Sequence, residues 1–258
     1  MIQFPEFERS PIDIHSHFNH GVPGEYGTVE YLNTSQCQIP FLLAENKRFG
    51  IKEIAFSSYS AVLCSDYICE ENQYLNDLVH NTEGIYQWAV LHPEQPKTFE
   101  QVDAMLGDKK VLGIKIHPYF HKYKMVERAD RIFSFANERD AVVMMHPAAT
   151  ECMMEFADKY PRMKLIIAHL AGETEIKAIK YAKHQNIYAD TSGSLSALNN
   201  VIEYACEQIG SEKILFGTDT YSLTFQYSRV ALAKISHAEK ENIFYKNAIK
   251  LFPWAFEK

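Results

Sequence analysis

Eight short runs of apolar residues recur along the chain, and most are followed by a stretch with helical spacing. The runs are nearly continuous rather than alternating between apolar and polar residues, as is typical of parallel strands covered on both faces. They span residues 12–15, 53–57, 86–91, 111–117, 141–146, 164–169, 187–191 and 213–218. We therefore predict eight strands that are buried within a larger unit.

The stretches between these runs carry apolar residues three and four positions apart, with charged residues on the opposite side. That spacing predicts amphipathic helices that rest on a sheet. The predicted helices span residues 71–80, 99–106, 129–138, 173–183, 198–208 and about 238–251. We interpret residues 21–38 as a long loop after the first strand, whereas the loops after strands two to seven are short.

The carboxyl ends of the predicted strands lie about 29 residues apart, from residue 17 to residue 219. One strand and one helix fit into each step, and eight such steps form a (β/α)8 TIM barrel. A doubly wound α/β sheet is the rival fold, but no GxGxxG motif follows the first strand. No linker rich in Pro, Gly or Ser divides the chain, so we predict a single barrel domain over residues 1–258.

Composition narrows the class of protein further. The chain has 26 Lys and Arg against 33 Asp and Glu, and this acidic balance disfavours nucleic acid as a partner. The start lacks the pattern of a signal peptide, and no stretch reaches 18 uninterrupted apolar residues. The five cysteines form no CxxC pair, which favours reduced thiols. We expect a cytoplasmic protein without membrane contact, with a homodimer as the default assembly.

Histidines cluster where the predicted strands end. Six of the 11 histidines lie there, namely His15, His17, His92, His117, His146 and His169, and Asp219 follows the eighth strand. In a TIM barrel the carboxyl ends of the strands form the rim at which catalysis takes place. We therefore predict that these side chains converge on one site.

The types of side chain at this rim are those that bind a divalent metal. His15 and His17 are two positions apart on one strand, so both point to the same side. Two imidazoles are too few ligands, but His146 and Asp219 would complete a site that keeps room for water. A metal lowers the pKa of bound water towards neutrality, and Asp219 could then accept its proton. An HxH pair alone is more often simply packed or solvated, so the prediction depends on all four positions.

Seven segments, taken in order, match the motifs of one superfamily. They are IDIHSHF (12–18), GIKIHP (113–118), VMMHPA (143–148), IIAHLAG (166–172), YADTSG (188–193), ILFGTD (214–219) and ENIFYKNAIKLF (241–252). These segments resemble the amidohydrolase superfamily and, within it, amidohydrolase family 2. That family contains metal-dependent hydrolases and decarboxylases similar to aminocarboxymuconate semialdehyde decarboxylase. The resemblance extends over nearly the whole chain.

The resemblance implies a metal centre in which His15, His17, His146 and Asp219 bind one divalent ion. We expect Zn2+, with Mn2+ or a second metal as alternatives. The resemblance also implies two catalytic residues. Asp219 would transfer a proton, and His169 would orient substrate or bound water.

Further residues near the fourth strand are predicted to bind substrate. His117 and Lys115 share one face of that strand, and Tyr119 follows in the loop. In binuclear relatives a carboxylated lysine on this strand bridges two metals, which keeps a second metal open. The other rim aromatics Tyr26, Tyr59 and Phe120 are candidates for substrate contact or for ordinary packing.

We therefore expect a metal-dependent hydrolase in which metal-activated water attacks a small amide, lactone or ester. The alternative is a metal-dependent decarboxylase of a small unsaturated or aromatic carboxylic acid. The loop segments HPA (146–148), AHLAG (168–172) and TDTYS (218–222) depart from the family pattern. Loops at these places line the substrate pocket in the family, so the resemblance does not identify the substrate.

Overall fold

In a computed structural model of the chain, eight parallel strands form one sheet in the order in which they occur in the sequence. The structure describes residues 5–19, 38–170, 172–193 and 198–257. The strands are β1 (Ile12–Phe18), β2 (Glu53–Ser58), β3 (Ile85–Val90), β4 (Val111–Ile116), β5 (Val142–Met145), β6 (Lys164–Ile167), β7 (Ile187–Asp190) and β8 (Ile214–Leu215). Each strand pairs with the next, which confirms the predicted (β/α)8 fold.

The sheet closes through backbone hydrogen bonds between β1 and the segment that begins at β8. Ile14 N donates to Phe216 O at 3.0 Å, and Asp219 N donates to His15 O at 2.8 Å. A side chain strengthens the same junction, because Thr218 Oγ1 donates to Asp13 Oδ2 at 2.6 Å. The closing segment therefore joins the strand that carries the predicted HxH pair.

Helices alternate with the strands and cover the outside of the barrel. They are α1 (Ile39–Arg48), α2 (Tyr59–Leu63), α3 (Ile68–Asn81), α4 (Pro96–Met105), α5 (Met125–Glu138), α6 (Met153–Lys159), α7 (Glu173–Tyr181), α8 (Val201–Ile209), α9 (Leu223–Ala231), α10 (His237–Glu241), α11 (Asn247–Leu251) and α12 (Pro253–Phe256). Short 3-10 turns occupy Ser65–Tyr67, Thr150–Cys152 and Ser211–Lys213. Within the described ranges, no helix is long and apolar enough to cross a membrane.

Several element bounds differ from the predictions. Helix α4 begins at Pro96 rather than at residue 99, because proline fits the first helical position, where its missing N–H is not needed. The helix predicted over residues 238–251 is divided, since a π-helical turn at Asn242–Lys246 separates α10 from α11. The loop predicted over residues 21–38, with Tyr26, lies outside the described ranges except for Gln38.

The barrel interior buries ionisable side chains together with apolar ones. Every residue of β1 to β4 is buried, and these strands include Asp13, His15, His17 and Lys115. A buried charged or polar group needs a partner inside the protein, because transfer away from water is otherwise costly. These partners define the candidate site.

Candidate active site

Strand β1 places His15 and His17 on the same side, with their ring centroids 5.1 Å apart. His17 Nδ1 lies 3.2 Å from Ser57 O, a carbonyl oxygen that can only accept, so Nδ1 carries the proton. His15 Nδ1 lies 2.7 Å from Asp190 Oδ2 and donates to it in the same way. In their neutral forms both rings therefore direct an unprotonated Nε2 towards the centre of the site.

Asp219 faces these two nitrogens. Its Oδ1 lies 3.2 Å from His17 Nε2 and 3.9 Å from His15 Nε2. Its other oxygen, Oδ2, accepts a hydrogen bond from the Tyr221 hydroxyl at 2.6 Å. The two carboxylate oxygens therefore have different environments, and Oδ1 is the one that faces the histidines.

The backbone at Asp219 adopts an uncommon conformation. Asp219 and Thr220 have φ angles of 53° and 66°, in the left-handed region that non-glycine residues rarely occupy. Thr220 is held in place because its Oγ1 donates to His17 O at 2.6 Å and accepts from His17 N at 2.5 Å. Strain of this kind persists where surrounding contacts enforce it, and it is concentrated at functional sites.

His117, His146 and His169 form a second group beside the first. The rings of His117 and His146 stack with centroids 4.0 Å apart. His169 Nε2 lies 3.3 Å from His146 Nδ1, and its ring stacks on His15 at 5.4 Å. The structure thus brings together the histidines predicted at strands one, four, five and six.

The histidine pKa values favour neutral rings. Burial lowers the pKa of His15 to about 4 and that of His146 to about 3. Burial also lowers the pKa of His17 and that of His117. Neutral imidazoles keep a lone pair for a metal or a proton at pH 7.

Lys115 is buried at the centre of this cluster. Its Nζ lies 2.8 Å from His15 Nε2, which is consistent with an unprotonated nitrogen there. Burial lowers the pKa of Lys115 to about 8, while the carboxylates of Asp219 and Asp190 oppose that shift. The ammonium group therefore remains largely charged near neutral pH and can bind an anionic oxygen.

A cavity of about 250 Å³ opens above the cluster. Its lining combines polar groups with the apolar or aromatic side chains of Tyr59, Val62, Leu63 and Phe120. The other lining residues are His17, Lys115, His117, His146, His169, Gly193, Asp219 and Tyr221. The cavity has the size of a small organic molecule, and six of the predicted site residues line it.

Two predicted residues lie elsewhere. Tyr119 is 74% exposed, does not line this cavity and packs against Phe120, which does. His92 does not join the cluster, because its ring packs 5.2 Å from His121 and its Nδ1 accepts from Glu94 N. His92 lies two residues beyond the end of β3, and its Nε2 lies 3.4 Å from His121 O.

Asp190 is the main site residue that the sequence analysis missed. It ends β7 within a buried apolar run, which is the same signal that identified the histidines. Burial by itself raises the pKa of Asp190, but the adjacent His15 outweighs this effect and the pKa falls below its ordinary value. An ionised Asp190 therefore accepts the Nδ1–H of His15, on the side of the ring that faces away from the centre of the site.

The arrangement of donor atoms fits a divalent cation. His15, His17 and Asp219 each offer one ligand atom, and these three atoms lie within 4.8 Å of one another. The Nε2 atoms of both histidines face Asp219 Oδ1 with lone pairs. A cation among these three atoms would satisfy all of them at once. His146 lines the same cavity but lies outside this group of three, so its role as a ligand stays a prediction.

The family model for amidohydrolases matches residues 12–254, so the chain belongs to the amidohydrolase family. It is accordingly an enzyme of the amidohydrolase superfamily. No curated protein matches the sequence with significance.

Solved structures share the fold at low sequence identity. A dihydroxybenzoic acid decarboxylase from a Polaromonas species, with bound manganese and the inhibitor 2-nitroresorcinol, is 15% identical with a TM-score of 0.72, covering 95% of this chain and 97% of that chain. A 5-carboxyvanillate decarboxylase from Novosphingobium aromaticivorans, complexed with manganese, is 13% identical with a TM-score of 0.72, covering 95% and 96%. A 4-oxalomesaconate hydratase from Rhodopseudomonas palustris is 15% identical with a TM-score of 0.64, covering 95% and 96%.

Proposed function

We propose that the protein is a metal-dependent decarboxylase that releases CO2 from a small aromatic or unsaturated carboxylic acid. The observation that carries the proposal is the His/Asp cluster at the floor of a small cavity with apolar and aromatic walls. Two of the structures with the same fold are decarboxylases of aromatic acids, which adds support. Hydrolysis, the first expectation from the sequence, has less support than this alternative.

The walls of the cavity favour loss of a carboxylate. An acid that enters between Tyr59, Leu63 and Phe120 gives up much of its hydration. Burying a charge is costly, and conversion of the carboxylate to neutral CO2 relieves that cost. Hydrolysis would instead require a water molecule as a second reactant in the same small space.

In this proposal His15, His17, His146 and Asp219 hold a divalent ion. Imidazole and carboxylate ligands suit Mn2+ and Zn2+, and manganese is the ion in the two decarboxylases. When bound, the ion supplies positive charge that holds an oxygen of the acid and stabilises developing negative charge.

The polar side chains of the cavity bind the acid. His117 Nδ1 accepts a hydrogen bond from Phe120 N at 3.3 Å, so its proton resides on Nε2. His117 Nε2–H and the Lys115 ammonium group can each donate to an oxygen of the acid. These two donors orient the carboxylate relative to Asp219.

Asp219 is the group that moves the proton. The C–C bond to the carboxylate breaks, its electron pair remains on the substrate carbon, and CO2 leaves. Burial by itself raises the pKa of Asp219, but His17 and the other nearby histidines outweigh this effect and hold the pKa well below its ordinary value, so Asp219 rests as a carboxylate. It takes up a proton from solvent and passes it to the substrate carbon. The reaction consumes one proton for each carboxylate that is lost.

A product assay tests the proposal directly. The protein, loaded with Mn2+ or Zn2+, is incubated with single-ring aromatic acids, unsaturated acids, lactones and amides, and CO2 and ring-opened products are measured. We expect CO2 from at least one acid, and a loss of at least about 100-fold in Asp219→Asn, the range for removing a proton-transfer group.

Asp103→Asn is the matched control, because Asp103 lies on the outer helix α4 and pairs with Arg139. It should retain full turnover. Hydrolysis of a lactone or amide without CO2 release from any acid would overturn the proposal in favour of a hydrolase.

A further inference from the structure

We propose that Ser192 and Asp190 are positioning residues that keep the proton of His169 on Nδ1. They thereby leave His169 Nε2 unprotonated on the side of the cavity and of His146. This inference concerns a pair of residues on β7 and the loop after it, which the proposed mechanism does not yet use. It depends on hydrogen-bond donors and acceptors that can be counted.

The Ser192 hydroxyl lies among three polar groups. Ser192 Oγ is 2.9 Å from His169 Nδ1 and 2.8 Å from His15 Nδ1, and it also contacts Asp190 Oδ1. A hydroxyl has one proton to donate and two lone pairs that accept. Its single proton can therefore go to only one of these three groups.

The Asp190 carboxylate determines which atoms donate and which accept in these hydrogen bonds. Asp190 Oδ1 can only accept, so the hydroxyl proton of Ser192 points to it. The lone pairs of Ser192 Oγ then accept from N–H groups, and His169 Nδ1 must carry a proton. The same assignment gives His15 a proton on Nδ1, as its 2.7 Å contact with Asp190 Oδ2 already requires.

Backbone groups keep the carboxylate in place. Asp190 Oδ1 also accepts from Ser192 N at 2.8 Å and from His169 N at 3.2 Å. The Asp190 carboxylate is therefore held by the backbone N–H of His169, the same residue whose ring tautomer it determines. A rotation of Asp190 would break several hydrogen bonds at once.

The consequence lies at the other ring nitrogen. A neutral His169 with its proton on Nδ1 has a lone pair on Nε2, 3.3 Å from His146 Nδ1. In that contact His146 Nδ1–H is the donor and His169 Nε2 the acceptor, and Nε2 can also take up a proton from a substrate hydroxyl. The opposite tautomer would present an N–H at the same place and could only donate.

The first test observes the tautomer itself. Nitrogen-15 NMR of the full-length protein, loaded with diamagnetic zinc, distinguishes protonated from unprotonated ring nitrogens. We expect His169 Nδ1 in the protonated region and Nε2 in the unprotonated region. The reverse assignment in the wild-type protein overturns the inference, whether or not an active substrate is known.

The second test separates the two residues. Ser192→Ala removes the acceptor of the His169 proton but keeps the bond between His15 and Asp190. We expect His169 to shift towards the Nε2–H tautomer, with a smaller loss of zinc affinity than in Asp190→Asn, because His15 loses only its contact with Ser192 and keeps the one with Asp190. Asp190→Asn affects both histidines, and zinc affinity should fall about 10–100-fold, the usual effect of losing a carboxylate behind a metal ligand.

Turnover gives an independent readout that rests on the proposed function. In Ser192→Ala we expect kcat to fall about tenfold with little change in KM, the scale of one lost hydrogen bond. Ser134→Ala, on the outer helix α5, is the matched control and should behave as wild type. An unchanged His169 tautomer in Ser192→Ala contradicts the inference, whereas absence of CO2 release from every acid contradicts only the proposed function.

Discussion

Three residues at the rim have left-handed backbones although none of them is glycine. They are His169, Asp219 and Thr220, with φ angles of 64°, 53° and 66°. A conformation of this kind costs about 1–3 kcal/mol at each position, so the surrounding contacts must outweigh that cost. Two of the three, His169 and Asp219, line the cavity, so local stability is reduced where the site needs a particular geometry.

The structure leaves no room for a side chain at Gly193, because the His169 ring lies next to it. A Cβ at this position would lie 2.3 Å from His169 Nδ1, and the φ angle of 73° already disfavours a side chain. We predict that Gly193→Ala displaces the His169 ring and lowers kcat about tenfold or more, since it disturbs at least one hydrogen bond of that ring. Turnover of the substrate found in the product assay is the measurement.

Gly50 provides a matched control for Gly193. Its φ angle is 74°, but a Cβ there would meet no atom within 4 Å. Gly50→Ala therefore carries the same backbone strain without the clash, and we expect a loss of stability of about 1–2 kcal/mol with normal turnover. Equal kinetics in the two variants would show that the clash with His169 has no effect on catalysis.

His121 predicts a dependence of stability on acid pH. Burial lowers its pKa to about 4, whereas an unfolded histidine titrates near 6.5. Between these values the unfolded chain binds a proton that the folded chain does not, so stability falls as the pH decreases from 6.5 to 4. His121 alone accounts for up to about 3 kcal/mol of that loss.

The variant His121→Gln should remove this contribution. Its amide can still donate to Ala61 O, the partner of His121 Nε2 at 2.9 Å. Urea unfolding at pH 7 and at pH 5 should give a smaller difference in the free energy of unfolding than in the wild type. If the stability of His121→Gln depended on pH as strongly as that of the wild type, His121 would not be the origin of that dependence.

The sequence predicts most of the candidate site at the level of residues. The rule that strand ends converge at one rim identifies His15, His17, His169 and Asp219. It does not identify Asp190, because the prediction was based on the histidines. A single aspartate at the end of an apolar run does not by itself indicate a functional site. The same rule is wrong for His92, since a sequence does not show which way a residue just beyond a strand will turn.

At the scale of elements, the hydrophobic pattern predicts all eight strands but not where they end. Strand β8 consists of Ile214–Leu215 alone, although the apolar run continues, because the following residues bond to β1 by irregular contacts. The pattern also misses α1 and α2, which flank β2. Helix α2 is only five residues long, too short for helical periodicity to be recognised.

The junction of the first and last strands gives a test at this scale. Asp13 is fully buried, and burial raises its pKa to about 7 despite the hydrogen bonds from Thr218. We predict that Thr218→Val lowers the free energy of unfolding by about 1–3 kcal/mol, because the carboxyl loses a buried donor. Thr174→Val, at an exposed position in α7, should change it little, and equal midpoints in urea for the two variants would contradict the prediction.

At the scale of the whole molecule, metal binding and folding should be linked. The predicted ligands come from strands at opposite ends of the sequence, so an ion bound among them stabilises the closed barrel. An ion at 100 times its Kd contributes about 2.7 kcal/mol, or roughly 5–10 °C in Tm for a chain of this size.

Thermal melts before and after treatment with a chelator measure this linkage. We expect Tm to fall on chelation, to recover with Mn2+ or Zn2+, and to respond much less in Asp219→Asn. Metal analysis should give one ion per chain, and two would support a second metal near Lys115. Identical melting curves under all conditions would argue against a metal centre.

The hydrogen bond between Thr218 N and Asp13 spans 205 positions of sequence. During synthesis on the ribosome, Asp219 is added 202 residues after His17. A nascent chain that ends before Asp219 therefore cannot assemble the complete set of proposed ligands. Chain fragments from interrupted translation would lack catalytic activity. The enzyme would first become active once the last strand has been synthesised.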